Sequence, residues 1–358
     1  MSTINFRDPS KDVQTLTVGS DIKSAEDVML RPAFLMCEPT YYDPRKETRA
    51  KVNGYVENEM CETSNHEDFD PELAKEQHAK LREAILDLGG SIILNPGSEG
   101  ILDNVFKADP SLTIANPTFR DDGTLESVYL KTIASNFYHH ARNAEVTSQM
   151  GDIMFFRNMM IERYGLGVSN FEYHAELHGE GTGDNVYDPY RDLFWCGFKP
   201  KSGDFDPASG RSDPEFHKVL EDKLGMQGRT QPLEVNGKFF HIDTCLAPLP
   251  NGEILCFQDG MTNDAFTDLK SRAGEGNLIC VNADDADKYA CNIILMDDHN
   301  IIMPRTSKDL SQSIEDRGYN VTQVDLSQFI ELGGGGAHCL VNRVNQMRRT
   351  SEHDAPEL

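Results

Sequence analysis

No apolar run in this sequence approaches the ~18–20 residues that a membrane-spanning helix needs, so no membrane span is expected. The stretch from Met1 to Asp8 lacks the apolar core of a secretory signal, which points to a soluble, cytoplasmic protein. Basic residues are short: 34 lysines and arginines stand against 59 acidic residues, a formal charge of -25. That balance disfavours nucleic acid and anionic membrane as partners, since both select for basic surface. It suits a cationic substrate, and it also keeps a surface soluble. The eight cysteines contain no CxxC pair. Several, such as Cys256 and Cys280, sit in apolar strand-like runs where a reduced, buried thiol is expected. A reducing compartment follows. No stretch is long or polar enough to read as an interdomain linker.

What is present begins near the C-terminus. Gly333, Gly334, Gly335 and Gly336 lead into Ala337, His338 and Cys339. Consecutive glycines are costly inside a helix or strand, but they let backbone approach another group closely. A cysteine delivered by such a turn, ahead of the strand-like Leu340 and Val341, is a candidate nucleophile. A buried structural thiol is the ordinary role of a free cysteine.

Residues 1–30 read as a polar, weakly patterned and partly ordered arm. Pro32 to Pro39 reads as a buried strand bounded by prolines. Asp70 as N-cap, Pro71 in the first turn and Gly89 at the end bracket a helix with Leu73, Leu81, Ile85 and Leu88 on its apolar face. Short strands are expected at 91–94, 102–106, 112–115 and 193–198, a polar turn at 120–126 and a long helix over 143–164. Residues 199–213, rich in Gly, Pro, Ser and Asp, read as a surface loop. Residues 292–324 read as strand, tight turn, strand, helix, strand, a β-β-α-β unit. A looser copy runs over 193–235. The expected class is α/β, one domain of repeated β-β-α-β-like units.

Three further stretches carry candidate chemistry. Glu180 and Asp184 frame Gly181, Thr182 and Gly183, with His174 and His178 upstream. The spacing of His174, Glu176 and His178 differs from a zincin helix, which puts Glu directly after the first His, and no metal is assigned. Phe239 to Thr244 alternates like a strand, which would place His241 and Asp243 on one face. A carboxylate beside a histidine raises its pKa and orients it for proton transfer. The third stretch, Leu102 to Asp109, has acids near both ends. Cysteine, histidine and carboxylates together suit covalent attack on an electrophilic carbon within a cation, the carboxylates holding a guanidinium through charge-assisted hydrogen bonds. Acidic neighbours oppose a thiolate, so a cationic substrate or His241 must supply compensating charge.

The glycine-rich His338–Cys339 stretch, the run His241 to Pro250, Glu180 to Asp184 and Asp103 to Asp109 resemble, in their order, the guanidino-group-modifying pentein superfamily. That superfamily includes arginine deiminases, dimethylargininases, arginine dihydrolases and amidinotransferases. The likeness extends to residues 35–39, 194–198, 289–292 and 325–329, spanning about 31–345. It implies a five-bladed α/β propeller with the active site in a central channel, a catalytic domain over 31–345 and a tail over 346–358. It implies Cys339 as nucleophile, His241 as general acid and base, and Glu180 supporting His241. Asp243 and Asp109 would bind guanidinium nitrogens, and Arg142 would grip a substrate carboxylate; Asp184 reads as structural. Dihydrolase-like relatives tend to carry Asn where this chain has Asp109, which favours cleavage at a single guanidinium bond. An insert around Cys61–Asp70 departs from the pattern, and Asn53, Gly54 and Tyr55 match it only loosely.

The function implied is a cysteine-dependent hydrolase of arginine or a substituted arginine, without a cofactor. The alternatives are an amidinotransferase, passing the amidino group to an amine, and a catalytically silent binding protein. The expected partner is a small guanidino cation, with a homo-oligomer left open.

Overall fold

The computed structural model describes residues 2–5 (backbone only), 14–20, 22–45, 68–198, 211–236 and 239–348. The expected insert up to residue 67, Asn53–Tyr55 and most of the 199–213 loop lie outside the described residues.

Five small sheets account for the described strands. Three repeat one plan. Asn185–Asp188 pairs antiparallel with Leu193–Phe198, and helix Phe216–Leu224 returns the chain to Thr230–Glu234, parallel to its neighbour. Leu246–Pro248, Ile254–Cys256, helix Asn263–Ala273 and Leu278–Cys280 do the same. So do Ile294–Leu295, Asn300–Pro304, helix Lys308–Glu315 and Asn320–Val324. This is the expected β-β-α-β unit. A fourth sheet builds it from longer pieces, Ser111–Phe119, Leu125–Ala134, helix Asn143–Tyr164 and Gly167–His174. Its last two strands were not expected from the sequence; the second, Gly167–His174, is largely polar and half-exposed.

The remaining sheet holds Ala33–Cys37 parallel to Ser91–Asn95, linked through helix Pro71–Asp87. Asp70 caps that helix, its carboxylate accepting from the N–H groups of Glu72 and Leu73 as the sequence implied. The expected N-terminal arm is more structured than its polarity suggested. Thr15–Val18 pairs with Ser91–Asn95, and Leu16, Val28 and Met29 are buried.

Two other expectations change. Residues 102–106 form not a strand but a 3-10 turn, Leu102–Val105, whose Asn104 bonds Ser148 and accepts from Lys107. The alternating run around His241 is likewise a turn, Ile242–Thr244, with strand only from Leu246.

The C-terminal segment fastens the first two sheets: Asn342–Arg343 pairs with Ala33–Cys37, and Gln346–Met347 with Ser111–Phe119. Asn345 between them is fully buried. Its Nδ2 donates to the carbonyls of Val28, Met29 and Arg31, and its Oδ1 accepts from Ala33 N–H. Replacing it leaves several buried backbone groups unpaired, which is costlier than losing one exposed bond. Asn345→Ala is expected to destabilise the protein by roughly 2–4 kcal/mol. Thermal unfolding followed by circular dichroism should register a melting temperature several degrees below wild type.

Candidate active site

The candidate residues come from the connections between sheets. Asp109 precedes the Ser111–Phe119 strand, and Glu180 precedes Asn185–Asp188. His241 and Asp243 precede Leu246–Pro248, and Cys339 precedes the closing strand Asn342–Arg343. Local contacts draw these loops together. Ala108 N–H donates to the Cys339 carbonyl (3.2 Å), and Thr182 N–H to the Ala108 carbonyl (2.8 Å). Gly181 has φ +46°, and a Cβ there would lie 2.3 Å from the Ala108 carbonyl. At Gly183 a Cβ would lie 2.5 Å from Asp109 Oδ1 and 3.0 Å from His241 Nδ1. The glycines beside Glu180 therefore serve close approach rather than a ligand loop.

His241 Nε2 lies 2.8 Å from Glu180 Oε2, and His241 Nδ1 lies 3.5 Å from Asp109 Oδ1. The carboxylate that orients the imidazole is thus Glu180, not Asp243 on a shared strand face. Asp243 turns the other way. Its Oδ2 lies 3.2 Å from the Cys339 sulfur and 2.9 Å from His338 Nδ1. Arg142 donates through Nε and Nη2 to both Glu145 oxygens (2.9 and 2.7 Å), and Nη2 reaches Asp109 Oδ2 at 3.0 Å. Its Nη1 is 3.5 Å from Glu180, and the guanidinium lies over the Phe137 ring. The residue expected to hold a substrate carboxylate is thereby engaged by three carboxylates of the chain itself.

Cys339, Asp109, Arg142 and His241 line a narrow cavity of about 20 Å³ together with Arg211, Phe106 and Phe240, room for roughly one water. Arg211 is 2% exposed, stacks on Phe240, and has Nε and Nη1 buried without hydrogen-bond partners. Asp109 Oδ1, Glu180 Oε1 and Asp243 Oδ1 are also buried without hydrogen-bond partners.

Burial alone would depress the His241 imidazole, but Asp109, Asp184 and Glu180 outweigh it and raise it to about 9. Against its own burial, Glu180 falls to about 2 through the His241 bond and the charges of Arg211 and Arg142. Burial raises Asp109 despite His241 and Arg142, and raises Glu145 and Asp184 to about 7. Burial, then Asp243 and Asp109, push the Cys339 thiol well above its ordinary range, with the Gly336 backbone N–H opposing them.

Asp109, Glu180 and His241 are also the described trio whose ligand atoms approach closely enough to hold a metal, within 4.8 Å of one another. Arg142 already places a cation against both carboxylates, and an imidazole raised to about 9 competes for a proton with any metal. His174 and His178 do not join them, each pairing with its own carboxylate, Glu172 and Asp213.

Sequence reasoning missed Arg211, Glu145, Asn292 and the direct contact of His338 with Asp243. Arg211 was hidden at the end of a stretch with surface-loop composition. His338 and Asn292 stood within motifs already singled out, but nothing in sequence spacing assigns them partners.

An ion-paired imidazole and a thiol thus flank buried carboxylate oxygens that have no hydrogen-bond partner. The family model for eukaryotic N,N dimethylarginine dimethylhydrolase matches residues 39–346, and the chain belongs to that family, within the pentein superfamily. It is 28% identical over 324 residues to the bifunctional arginine dihydrolase/ornithine cyclodeaminase ArgZ of Synechocystis, a match covering 90% of this chain and 38% of ArgZ. The chain thus spans about two fifths of that relative's length. It is 21% identical to the N(G),N(G)-dimethylarginine dimethylaminohydrolase of Mycobacterium tuberculosis, with 75% of each covered. Among solved structures, a variant of the ArgZ N-terminal domain covalently bound to a reaction intermediate aligns with TM-score 0.68, 26% identity and coverage of 88% and 98%.

With its raised pKa, His241 is protonated at neutral pH and loses its proton only as pH rises through about 9. Glu180→Gln removes an anion that favours the charged imidazole, so the midpoint should fall, by roughly one to two units. NMR titration of labelled histidine, with His241 assigned by substitution, measures this directly.

Proposed function

We propose that the protein hydrolyses the guanidinium of arginine or an N-substituted arginine through a covalent intermediate on Cys339. The observation carrying this reading is the set of buried carboxylate oxygens without hydrogen-bond partners, Asp109 Oδ1, Glu180 Oε1 and Asp243 Oδ1. Buried acceptors of this kind demand donors, and a guanidinium supplies planar N–H groups together with the missing positive charge. A binding protein would need the acceptors, but not a sulfur beside them.

The thiol loses its proton to solvent as the cation docks, because the incoming positive charge favours the thiolate. The thiolate attacks the central carbon. His241, already protonated and held by Glu180, gives its proton to the departing amine as the C–N bond breaks. Neutral His241 then takes a proton from water, which attacks the thiouronium carbon and expels Cys339 as thiolate. The balance is one water consumed and one amine released, with a citrulline-type product. Asp109 favours this single cleavage.

Arg211 takes the substrate's α-carboxylate, the role the sequence suggested for Arg142. Its Nε and Nη1 are unpaired, whereas Arg142 is engaged by Asp109, Glu145 and Glu180. Water as the second nucleophile makes the protein a hydrolase; an amine in its place would make it an amidinotransferase. The five sheets stand as blades of a propeller around a central channel, because each sheet-to-sheet connection carries a residue to the same point. The catalytic domain spans 31–345, with the Thr15–Val18 strand added to its first sheet and Val28 and Met29 packed against it. The free thiols among the described cysteines suit a reducing cytoplasm.

Incubation with arginine should yield citrulline and one equivalent of ammonia by mass spectrometry. Ornithine formed only with an added amine would instead make the protein an amidinotransferase. Cys339→Ser should abolish turnover while calorimetry still detects arginine binding. Arg211→Ala should raise KM for arginine by roughly 10–100-fold but leave activity on agmatine, which lacks the carboxylate, little changed. Equal losses on both would contradict the role given to Arg211.

A further inference from the structure

Two residues that the scheme above leaves unused hold Asp243 and Cys339 from the side away from His241. Asn292 is fully buried, in the connection between the Leu278–Cys280 and Ile294–Leu295 strands. Its Oδ1 accepts the Cys339 backbone N–H at 3.1 Å, which fixes which end of the amide carries the nitrogen. Nδ2 then faces three acceptors: Asp243 Oδ2 at 2.9 Å, the Asp243 carbonyl at 3.3 Å and the Cys339 sulfur at 3.1 Å. His338 lines a separate, larger cavity and reaches Asp243 Oδ2 at 2.9 Å. A carboxylate oxygen accepts, so His338 Nδ1 carries the hydrogen. The thiol adds a third donor at 3.2 Å. Oδ2 is therefore crowded, while Oδ1 has no partner.

The backbone leading to Asn292 is specialised. Tyr289 is buried and has φ +58°, a left-handed conformation that a bulky residue adopts only where its surroundings enforce it. Ala290 N–H donates to the Asp285 carbonyl at 3.1 Å, and Asn292 N–H to the Tyr289 carbonyl at 2.9 Å. The Asp285 carboxylate is itself tied to Ser307 through N–H and Oγ. This strained turn aims one amide at the nucleophile.

We propose that Asn292 is a further catalytic residue, donating an N–H to the Cys339 sulfur, and that His338 is a positioning residue that locks Asp243 Oδ2 so that Oδ1 meets the substrate. The proposal rests on the reading of Cys339 as nucleophile. Asp243 favours the neutral thiol twice, by accepting its hydrogen and by repelling the anion. When the sulfur is ionised the first contact is lost and the second becomes unfavourable. Asn292 is the donor left in place, and its N–H bond strengthens with charge on the acceptor. Donors from Asn292 and His338 on Oδ2 also withdraw part of the negative charge facing the sulfur and hinder rotation of the carboxylate.

The test follows carbamidomethylation of Cys339 by iodoacetamide across pH in substrate-free protein, read on the Cys339 peptide by mass spectrometry, alongside kinetics with arginine. Asn292→Ala should raise the apparent thiol pKa by roughly one unit, slowing labelling about tenfold at a fixed pH below it. The peptides of the other cysteines should label as in wild type, and kcat should fall roughly a hundredfold with KM nearly unchanged. His338→Ala should give a smaller shift in labelling and mainly a several-fold rise in KM, which His338→Asn, retaining an N–H, reverses in part. Should Asn292→Ala fail to fold by circular dichroism, Asn292→Ser and His338→Ala carry the measurement. A folded Asn292 variant whose labelling curve overlays wild type overturns the role of Asn292. A His338→Ala enzyme with wild-type KM and labelling overturns that of His338. Wild-type protein that labels normally but turns over neither arginine nor a methylated arginine refutes the nucleophile reading instead, and leaves the labelling shifts to decide Asn292 by themselves.

Discussion

The buried Arg142 guanidinium, shared among Asp109, Glu145 and Glu180, is the interaction on which the rest of the site depends. Removing carboxylates from water is expensive unless positive charge and hydrogen bonds replace the solvent. Arg142 keeps Asp109 and Glu180 close enough to His241 for both to favour the imidazolium. Even so, compensation is incomplete. Arg142, Arg211 and His241 face six buried acids, Asp103, Asp109, Glu145, Glu180, Asp184 and Asp243. Burial raises Glu145 and Asp184 to about 7 in spite of their cationic neighbours Arg142 and His241. Burial, and then Asp243 and Asp109, hold the Cys339 thiol above its ordinary range.

The fold turns that local chemistry into an architectural matter. Five sheets have five connections, and each brings a polar residue to the same place: Asp109, Glu180, the His241–Asp243 pair, Asn292 and Cys339. Connections tolerate the turns and glycines that such convergence needs, while packed strands hold their ends in place. The C-terminal strands make the last connection meet the first, so Cys339 abuts Ala108 and Asp109 although they lie far apart in sequence. Asn345 at this seam therefore bears on the position of Cys339 as well as on stability.

Much of this was legible from residues alone where the signal is local. Asp70, Pro71 and the apolar spacing marked their helix because capping and periodicity act within a few residues. The repeated unit at 292–324 was readable for the same reason. Cys339, His241 and Glu180 stood out through their glycines and neighbours. Partners were not legible from residues alone; only the family resemblance paired Glu180 with His241. Alternation around His241 suggested a strand, and with it a His241–Asp243 pair, but a turn there sends the imidazole to Glu180 and the carboxylate to Cys339. Arg211 looked like part of a solvated loop, because composition records neither burial nor an unpaired guanidinium. Arg142 suggested a carboxylate grip, since its engagement by Asp109 and Glu180 depends on the tertiary arrangement.

The most direct measurement is to mix enzyme with excess arginine, quench in acid during turnover, and determine the mass of the Cys339 peptide. The account predicts an adduct on Cys339 equal to arginine less ammonia, absent from Cys339→Ser. An amidino group alone would mean that ornithine leaves first and that the second nucleophile must be reconsidered. Sustained turnover by Cys339→Ser, or an adduct only on another cysteine, would contradict the central claim that this sulfur attacks the guanidinium carbon.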